Sequence, residues 1–213
     1  MINKISQKLH QRFINQYRVR SISRYLCRLL PDNQRMSGLD VGCGTGEISH
    51  RMRTQKPPVN IIGAEINLRK GTLIEVVEFN GQNLPFSNDS FDFVMLVDVL
   101  HHVESPEKLL AECSRVARQF LLIKDHFAET HWDIVRLRLM DWIGNYFYNI
   151  PLPFNYLSRQ RWKLLFQKNN LVNQETINQL NIYPRLTSFL FNKNLHFISK
   201  LNLSKGKKDD EYE

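Results

Sequence analysis

The sequence predicts an α/β protein with a mostly parallel sheet and a helical leader, and three observations carry that prediction. Met36–Val41 reads as an apolar strand running into the turn Gly42-Cys43-Gly44-Thr45-Gly46 and a helix start at Glu47–Arg51. Val59–Glu65 is a second buried-strand pattern, closed by a carboxylate. Strand-like and helical stretches then alternate from Phe91 to Lys124, as they do when crossover helices join parallel strands.

Composition sets the frame for these elements. The 213 residues are 42% hydrophobic and 23% charged, which excludes pervasive disorder and leaves enough apolar side chains for one sizeable core. Cys27, Cys43 and Cys113 are too few and too scattered for a disulfide scaffold and are expected to be reduced. No apolar run approaches the roughly 20 residues of a membrane-spanning helix. The N-terminus also lacks an apolar stretch followed by a small-residue cleavage site. The expectation is a soluble, cytoplasmic protein with a leader or lid at 1–35, one domain at 36–203 and a disordered tail at 204–213.

The leader holds the charge. The formal net charge is +8, and residues 1–35 contain eight basic residues against Asp32 alone, a net +7. The remaining chain holds 21 basic and 20 acidic residues and is nearly neutral. Ile5, Leu9, Phe13 and Tyr17 recur at every fourth position, whereas Ile22, Tyr25, Leu26 and Leu29 project onto a different helical face. This pattern predicts two helices, or one helix broken near Asn15–Arg18. Lys4, Lys8 and Arg12 flank the first stripe and Arg20, Arg24 and Arg28 oppose the second, so the leader reads as a packed lid with a solvated basic face. Contact of residues 1–30 with an anionic or membrane surface, or with RNA, is the alternative.

The glycine turn discriminates between ligands. Alternate glycines permit positive φ and bring a ligand close to the backbone at a helix N-terminus. A dinucleotide fingerprint counted from Gly42 requires glycine at position 47, where Glu47 stands, and no Gly-Lys-Ser/Thr follows to make a phosphate loop. Asp40, just before the turn, repels a pyrophosphate and suits a ligand carrying an amino group. The segment LDVGCGTGEIS resembles the first motif of class I S-adenosylmethionine-dependent methyltransferases. That resemblance implies that Asp40 organises the loop around the methionine end of the cofactor and that Gly42, Gly44 and Gly46 make room for it. S-adenosylmethionine is then the cofactor and S-adenosylhomocysteine the product.

Glu65, 19 residues after Gly46, is placed to accept both ribose hydroxyls at the tip of the second strand. Leu73–Phe79 is β-prone and leads into Asn80-Gly81-Gln82-Asn83-Leu84-Pro85-Phe86 and then a strand opening Phe91-Asp92. This run resembles the type 11 methyltransferase pattern, in which an acidic side chain meets the adenine amine. Asn80 takes that position here, with Gly81 beside it, and its amide oxygen is the expected acceptor. The stretch Ile66–Thr72 is too short for a crossover helix, so the expectation is that this helix is lost.

The fourth strand, Phe91–Val97, leads to Asp98, His101 and His102 at the crevice that open parallel sheets form beyond their carboxyl ends. Ser105-Pro106-Glu107 then opens a helix with an N-cap and a first-turn proline. That helix, Glu107–Ala117, passes through a tight connection, Ala117–Gln119, to a fifth strand at Phe120–Lys124. Lys124-Asp125-His126 ends this strand, and Asp125 is expected to orient His126 as a base. Trp132, Val135, Leu139, Trp142 and Ile143 recur at helical spacing and predict a helix over about Thr130 to Tyr146. Core packing of this lid helix is the leading explanation of the aromatic residues that end it and follow it. Trp142, Tyr146, Phe147, Tyr148, Phe154 and Tyr156 form an aromatic set that suits either a core or the roof of an apolar acceptor pocket.

Met140–Asn145 and Pro151–Tyr156 resemble a type 11 subgroup that pairs KDH, MDWxGN and LPxNY segments. Ser158 caps a helix to about Lys168, and Gln174–Tyr183 and Asn194–Leu201 are the last two expected strands. The resemblance implies a Rossmann-like class I methyltransferase fold, a seven-stranded sheet in the order 3-2-1-4-5-7-6. The expected reaction is in-line methyl transfer to a small-molecule acceptor, and the placement of residues at the strand ends makes His102 and His126 the candidate bases, with Asp125 orienting His126 and Asp98 at the cofactor or acceptor. The reading includes no metal and no obligate protein partner. Nucleic acid is disfavoured as acceptor because Asp98-Val99-Leu100-His101 stands where amino-methylating nucleic-acid enzymes carry Asn/Asp-Pro-Pro-Tyr/Phe. An RNA methyltransferase using the basic leader and a catalytically silent binding protein are the alternatives.

Overall fold

Residues 4–29 contain neither glycine nor proline, and they form a single unbroken helix, α1 (Lys4–Leu29). The expected break near Asn15–Arg18 is therefore corrected: a change of apolar face along a helix does not interrupt its backbone ladder. The computed structural model describes residues 4–145, 155–184 and 195–204. Tyr146, Phe147, Tyr148, Phe154, the side chain of Trp142 and the tail beyond Ser204 lie outside the described residues.

After α1 the chain alternates: β1 (Met36–Val41), α2 (Glu47–Gln55), β2 (Val59–Glu65), β3 (Val76–Glu78), β4 (Phe91–Val97), α3 (Pro106–Val116) and β5 (Ala117–His126). The described chain continues with α4 (His131–Asn145), α5 (Arg159–Lys168), β6 (Leu171–Asn178) and β7 (His196–Leu203). The seven strands form one sheet in the order β3-β2-β1-β4-β5-β7-β6. β1 to β5 pair in parallel, and β7 runs antiparallel to both β5 and β6.

Both faces of the sheet are covered, so the central strands read as continuous apolar runs. Val94, Leu96, Leu121 and Ile123 point to one face, where Leu109, Leu110 and Cys113 of α3 and Trp162 and Leu165 of α5 cover them. Phe93, Met95 and Leu122 point to the other, beneath Ile22, Leu26 and Leu29 of α1 and Met52 of α2. Arg20, Arg24 and Arg28 stay exposed. All three cysteines are free. Among the described residues, no helix is long and apolar enough to cross a membrane.

Several expected boundaries move, each for a local reason. The crossover between β2 and β3 holds no helix, and β3 begins at Val76 rather than Leu73. The residues before it are drawn to the glycine turn: Leu73 N–H donates to the Thr45 carbonyl at 2.9 Å, and Ile74 is buried. Ala117–Gln119 is not a connection but the start of β5, because Ala117 already pairs with Phe91. Ser105 occupies the N-cap of α3 but makes no side-chain cap bond, whereas Ser158 accepts from Arg161 N–H and caps α5. β6 starts at Leu171, directly after the left-handed Asn170 that ends the α5 turn, and this carries β7 to His196–Leu203.

The expected helix at about Thr130–Tyr146 is α4, and it buries a face that the spacing did not single out. Leu137 is the buried residue, packed with Ala128, Tyr156 and Leu195, and Ile134 and Met140 support it. Trp132, Val135 and Leu139 point into water. Apolar residues on both faces of this helix leave periodicity unable to choose between them.

Candidate active site

The carboxyl ends of the parallel strands carry the glycine turn, Glu65, Asp98 and Lys124–His126. At the turn, Gly42, Gly44 and Gly46 all have positive φ, at 73°, 59° and 76°. A Cβ on Gly42 would stand 2.6 Å from Val99 Cγ2, and one on Gly46 would stand 2.4 Å from Ile74 Cγ1. Those two positions need glycine for packing as well as for backbone conformation. Gly44 is different: its nearest neighbour would be the Arg69 guanidinium at 3.6 Å, an ordinary contact with the end of a flexible side chain, so packing does not demand glycine there.

Glu65 is tied to the same turn. Its carboxylate accepts from Gly44 N–H at 2.7 Å and from Ile66 N–H at 2.9 Å. Asp40 is buried beneath the turn and accepts from the Ser49 hydroxyl at 2.6 Å, which fastens α2 to β1. Burial pushes its carboxyl up to about 7; the Ser49 hydrogen bond opposes the rise and the Glu65 charge adds to it. Asp40 thus organises the loop from inside. Asn80 Oδ1 accepts from both Gln82 and Asn83 N–H, at 2.9 and 2.8 Å, and closes its own turn with the left-handed Gly81. Both lone pairs of that oxygen are spent, so the expected acceptor is corrected: the amide nitrogen is the group Asn80 has left to offer.

A second constellation lies at the ends of β4, β5 and β7. Asp98 sits in the left-handed region at φ 57° and its carboxylate is held by the Lys124 ammonium and, at 2.9 Å, by the Arg18 guanidinium of α1. Asp125 Oδ1 lies 2.7 Å from His101 Nδ1 and 3.1 Å from His126 Nδ1. His126 Nε2 is 3.6 Å from Asp98. Lys124, Asp125, His101, His126 and His196 are all buried.

Electrostatics fix the protonation states. Burial opposes the Asp125 charge, but His101 and His126 outweigh it and hold the carboxyl below its usual range. Burial likewise opposes the Asp98 charge, and Lys124, His126 and Arg18 hold that carboxyl well down. Burial first, then Lys124, lowers His126, and the same two causes press His196 down further. Facing an ionised Asp125, each Nδ1 carries the proton and donates it, leaving the basic lone pair on Nε2.

Comparison with known proteins decides the family. The profile described as a methyltransferase domain matches residues 10–176, well over half of the chain. The chain belongs to this methyltransferase family. A solved S-adenosylmethionine-dependent methyltransferase from Thermotoga maritima superposes with a TM-score of 0.63 at 17% identity, covering 92% of this chain and 95% of that one. A ubiquinone biosynthesis O-methyltransferase of Hahella chejuensis is 29% identical over 97 residues, 38% of each chain. A tRNA (carboxymethyluridine(34)-5-O)-methyltransferase of Saccharomyces cerevisiae is 33% identical over 81 residues, 33% of this chain and 26% of that one. The matches span at most 40% of the length of the first curated relatives.

The resemblance of the glycine turn to the first motif of class I methyltransferases implies S-adenosylmethionine as cofactor. The residues present fit it: a glycine at position 44 that packing does not demand and a carboxylate at the end of β2 where a ribose calls for one. The His102 ring lies against that of His101, with 3.9 Å between centroids. Asp98, His101, Asp125 and His126 offer donor atoms within 4.8 Å of one another, a set with the composition of a cation site. The positive charge that a divalent ion would bring is already supplied there by Lys124 and Arg18.

Sequence reasoning did not assign roles to Lys124, His196 or Arg18. His196 carried a usable signal, since it pairs in register with His126 once β7 is set antiparallel to β5. The expected strand at Asn194–Leu201 hid that register. Arg18 carried none beyond its charge, because its partner is 80 residues away.

Proposed function

We propose that this methyltransferase moves the methyl group of S-adenosylmethionine to a small-molecule acceptor held at the Asp98–Lys124–His126 end of the sheet. When bound, the cofactor supplies an electrophilic methyl on its sulfonium. The protein's part is to align the acceptor, exclude water and take up the proton that a hydroxyl or ammonium nucleophile must lose. His126 suits the last task. Asp125 holds its Nδ1–H, burial and Lys124 keep it neutral at rest, and Asp98 stands 3.6 Å from Nε2 to stabilise the imidazolium that forms. His101, on the same carboxylate oxygen at 2.7 Å, positions Asp125.

The observation that carries this reading is the shared Asp125 carboxylate between two buried imidazoles beside the glycine turn's own end of the sheet. Deep burial of the pair favours a compact acceptor over a nucleic-acid duplex. The test has two stages. Calorimetric titration should show saturable binding of S-adenosylmethionine and S-adenosylhomocysteine, no binding of NAD, and loss of binding in Asp40→Ala. Labelled cofactor incubated with extract should then mark low-molecular-weight material, and His126→Ala should lower that labelling while cofactor binding persists. Label recovered in RNA, lost when residues 1–30 are removed, would replace the small-molecule reading. Cofactor binding without transfer to any fraction would assign a binding protein instead.

A further inference from the structure

The carboxyl end of the sheet bears most of the large apolar side chains that the described residues leave in water. On α4, Trp132 is 71% exposed, Leu139 49% and Val135 41%. They share one helical face, opposite the Leu137 that seats α4 on Tyr156 and Leu195. Leu195 immediately precedes β7, whose first residue pairs with His126 at the end of β5. The helix therefore lies across this end of the sheet with its apolar face turned outward. Leu68 and Leu73 are exposed on the loop that follows β2. Phe13 is exposed on α1, two residues before Asn15, whose amide reaches Glu47 beside the glycine turn. Three separate segments thus present apolar side chains at the same end of the fold.

The charge among them is basic. Arg136 and Arg138 are exposed on α4. Asp133, the acid of the first turn, is engaged with Glu129 and Thr130 N–H at the start of the same helix. Lys70 is exposed on the β2–β3 loop beside Arg69, and the loop's one acid, Glu75, is its last residue, directly before β3. The N-terminal half of α1 carries Lys4, Lys8 and Arg12 with no acid among them. Apolar side chains interleaved with arginine and lysine are the pattern of a helix lying in a bilayer interface, where the former enter the acyl boundary and the latter meet anionic headgroups. A two-fold pairing of this face with a second copy would instead set Arg136 and Arg138 against like charges.

We infer that the rim formed by α4 and the β2–β3 loop, with Phe13 of α1 beside it, docks this protein on an anionic lipid surface. The glycine turn and the Asp125 cluster border the docked end, so chemistry takes place next to the membrane. This inference rests on exposure and charge and does not depend on the identity of the acceptor.

The test uses the full chain and vesicles of phosphatidylcholine alone or with about 30% phosphatidylglycerol. The chain should co-sediment with the mixed vesicles, much less with the neutral ones, and be released at about 0.5 M salt. Trp132→Ser combined with Leu139→Ser should lower partitioning about tenfold, from lost apolar burial. Lys70→Glu with Arg136→Glu should abolish the preference for anionic vesicles. These positions are exposed, so thermal unfolding should match the wild type and a folding defect would be visible as a shift. No sedimentation with mixed vesicles at low salt, or equal sedimentation of the serine variant, overturns the inference. So does a concentration-dependent dimer that the serine variant dissolves, which would give the face to a second copy of the chain.

Discussion

The two ends of the candidate site are built in opposite ways. At the glycine turn the backbone is the recognising element: three left-handed glycines, N–H groups and a carboxylate that braces them, all within residues 40–66. At the ends of β4, β5 and β7 the elements are side chains, drawn from residues as far apart as Arg18 and His196. The first design tolerates little change of shape; the second tolerates little change of charge. Substitutions in the two regions should therefore fail differently, one through binding and stability and the other through turnover.

The largest effect is expected at Asp125. An asparagine there keeps the shape but cannot act as a charged acceptor for His101 and His126. Turnover should fall about a thousandfold, roughly 4 kcal/mol of transition-state stabilisation. Affinity for S-adenosylhomocysteine should stay unchanged by calorimetry. A parallel loss of affinity would break the separation between the two regions.

The glycine turn should fail through shape. Gly46→Val meets Ile74 Cγ1 at 2.4 Å and adds strain at φ 76°. A loss of about 3 kcal/mol in urea unfolding is expected from overpacking and backbone strain together. Gly44→Ala meets nothing closer than 3.6 Å, so it should cost only the left-handed penalty of about 1 kcal/mol. Its effect should instead appear as weakened cofactor binding, which distinguishes the cradle position from the packing position.

Glu65→Gln is the intermediate case. One amide oxygen cannot serve Gly44 N–H and Ile66 N–H as two carboxylate oxygens do, and it offers a ribose less. S-adenosylhomocysteine affinity should drop about tenfold, or 1.4 kcal/mol. An unchanged affinity would confine Glu65 to bracing the turn.

This division also explains what the sequence discloses. β1, β2 and β4 begin and end where apolar runs meet a glycine turn, a carboxylate and Asp98, because each boundary is local. The sheet order and the lost crossover helix follow from that register and the family resemblance. The Asp125 pair was legible only in part: adjacency suggested His126, while the nearer partner, His101, depends on how β4 lies beside β5. His196 becomes legible only once β7 is set antiparallel to β5, which brings it into register with His126. On α4 the spacing marks a helix but not the face that meets the protein, which is that of Leu137 and not that of Trp132 and Leu139.

The smallest expected effect is the dependence of stability on pH, and its sign separates the two regions again. His126 and His196 have lowered folded values, so on acidification through the ordinary histidine range the unfolded chain takes up protons that the folded chain refuses. Stability from these two is present above that range and lost as pH falls through it. Asp40 acts in the other direction. Its folded value of about 7 lies above the unfolded 3.8, so between them the folded chain holds a proton the unfolded chain has released, and stability rises as pH falls. With two histidines against one aspartate, stability should fall as pH drops through the ordinary histidine range. Asp40→Asn removes the opposing contribution while keeping an oxygen for Ser49, so the loss measured by urea unfolding should steepen. A slope that flattens in this variant would mean that the glycine-turn end, not the histidine cluster, sets the acid sensitivity of the fold.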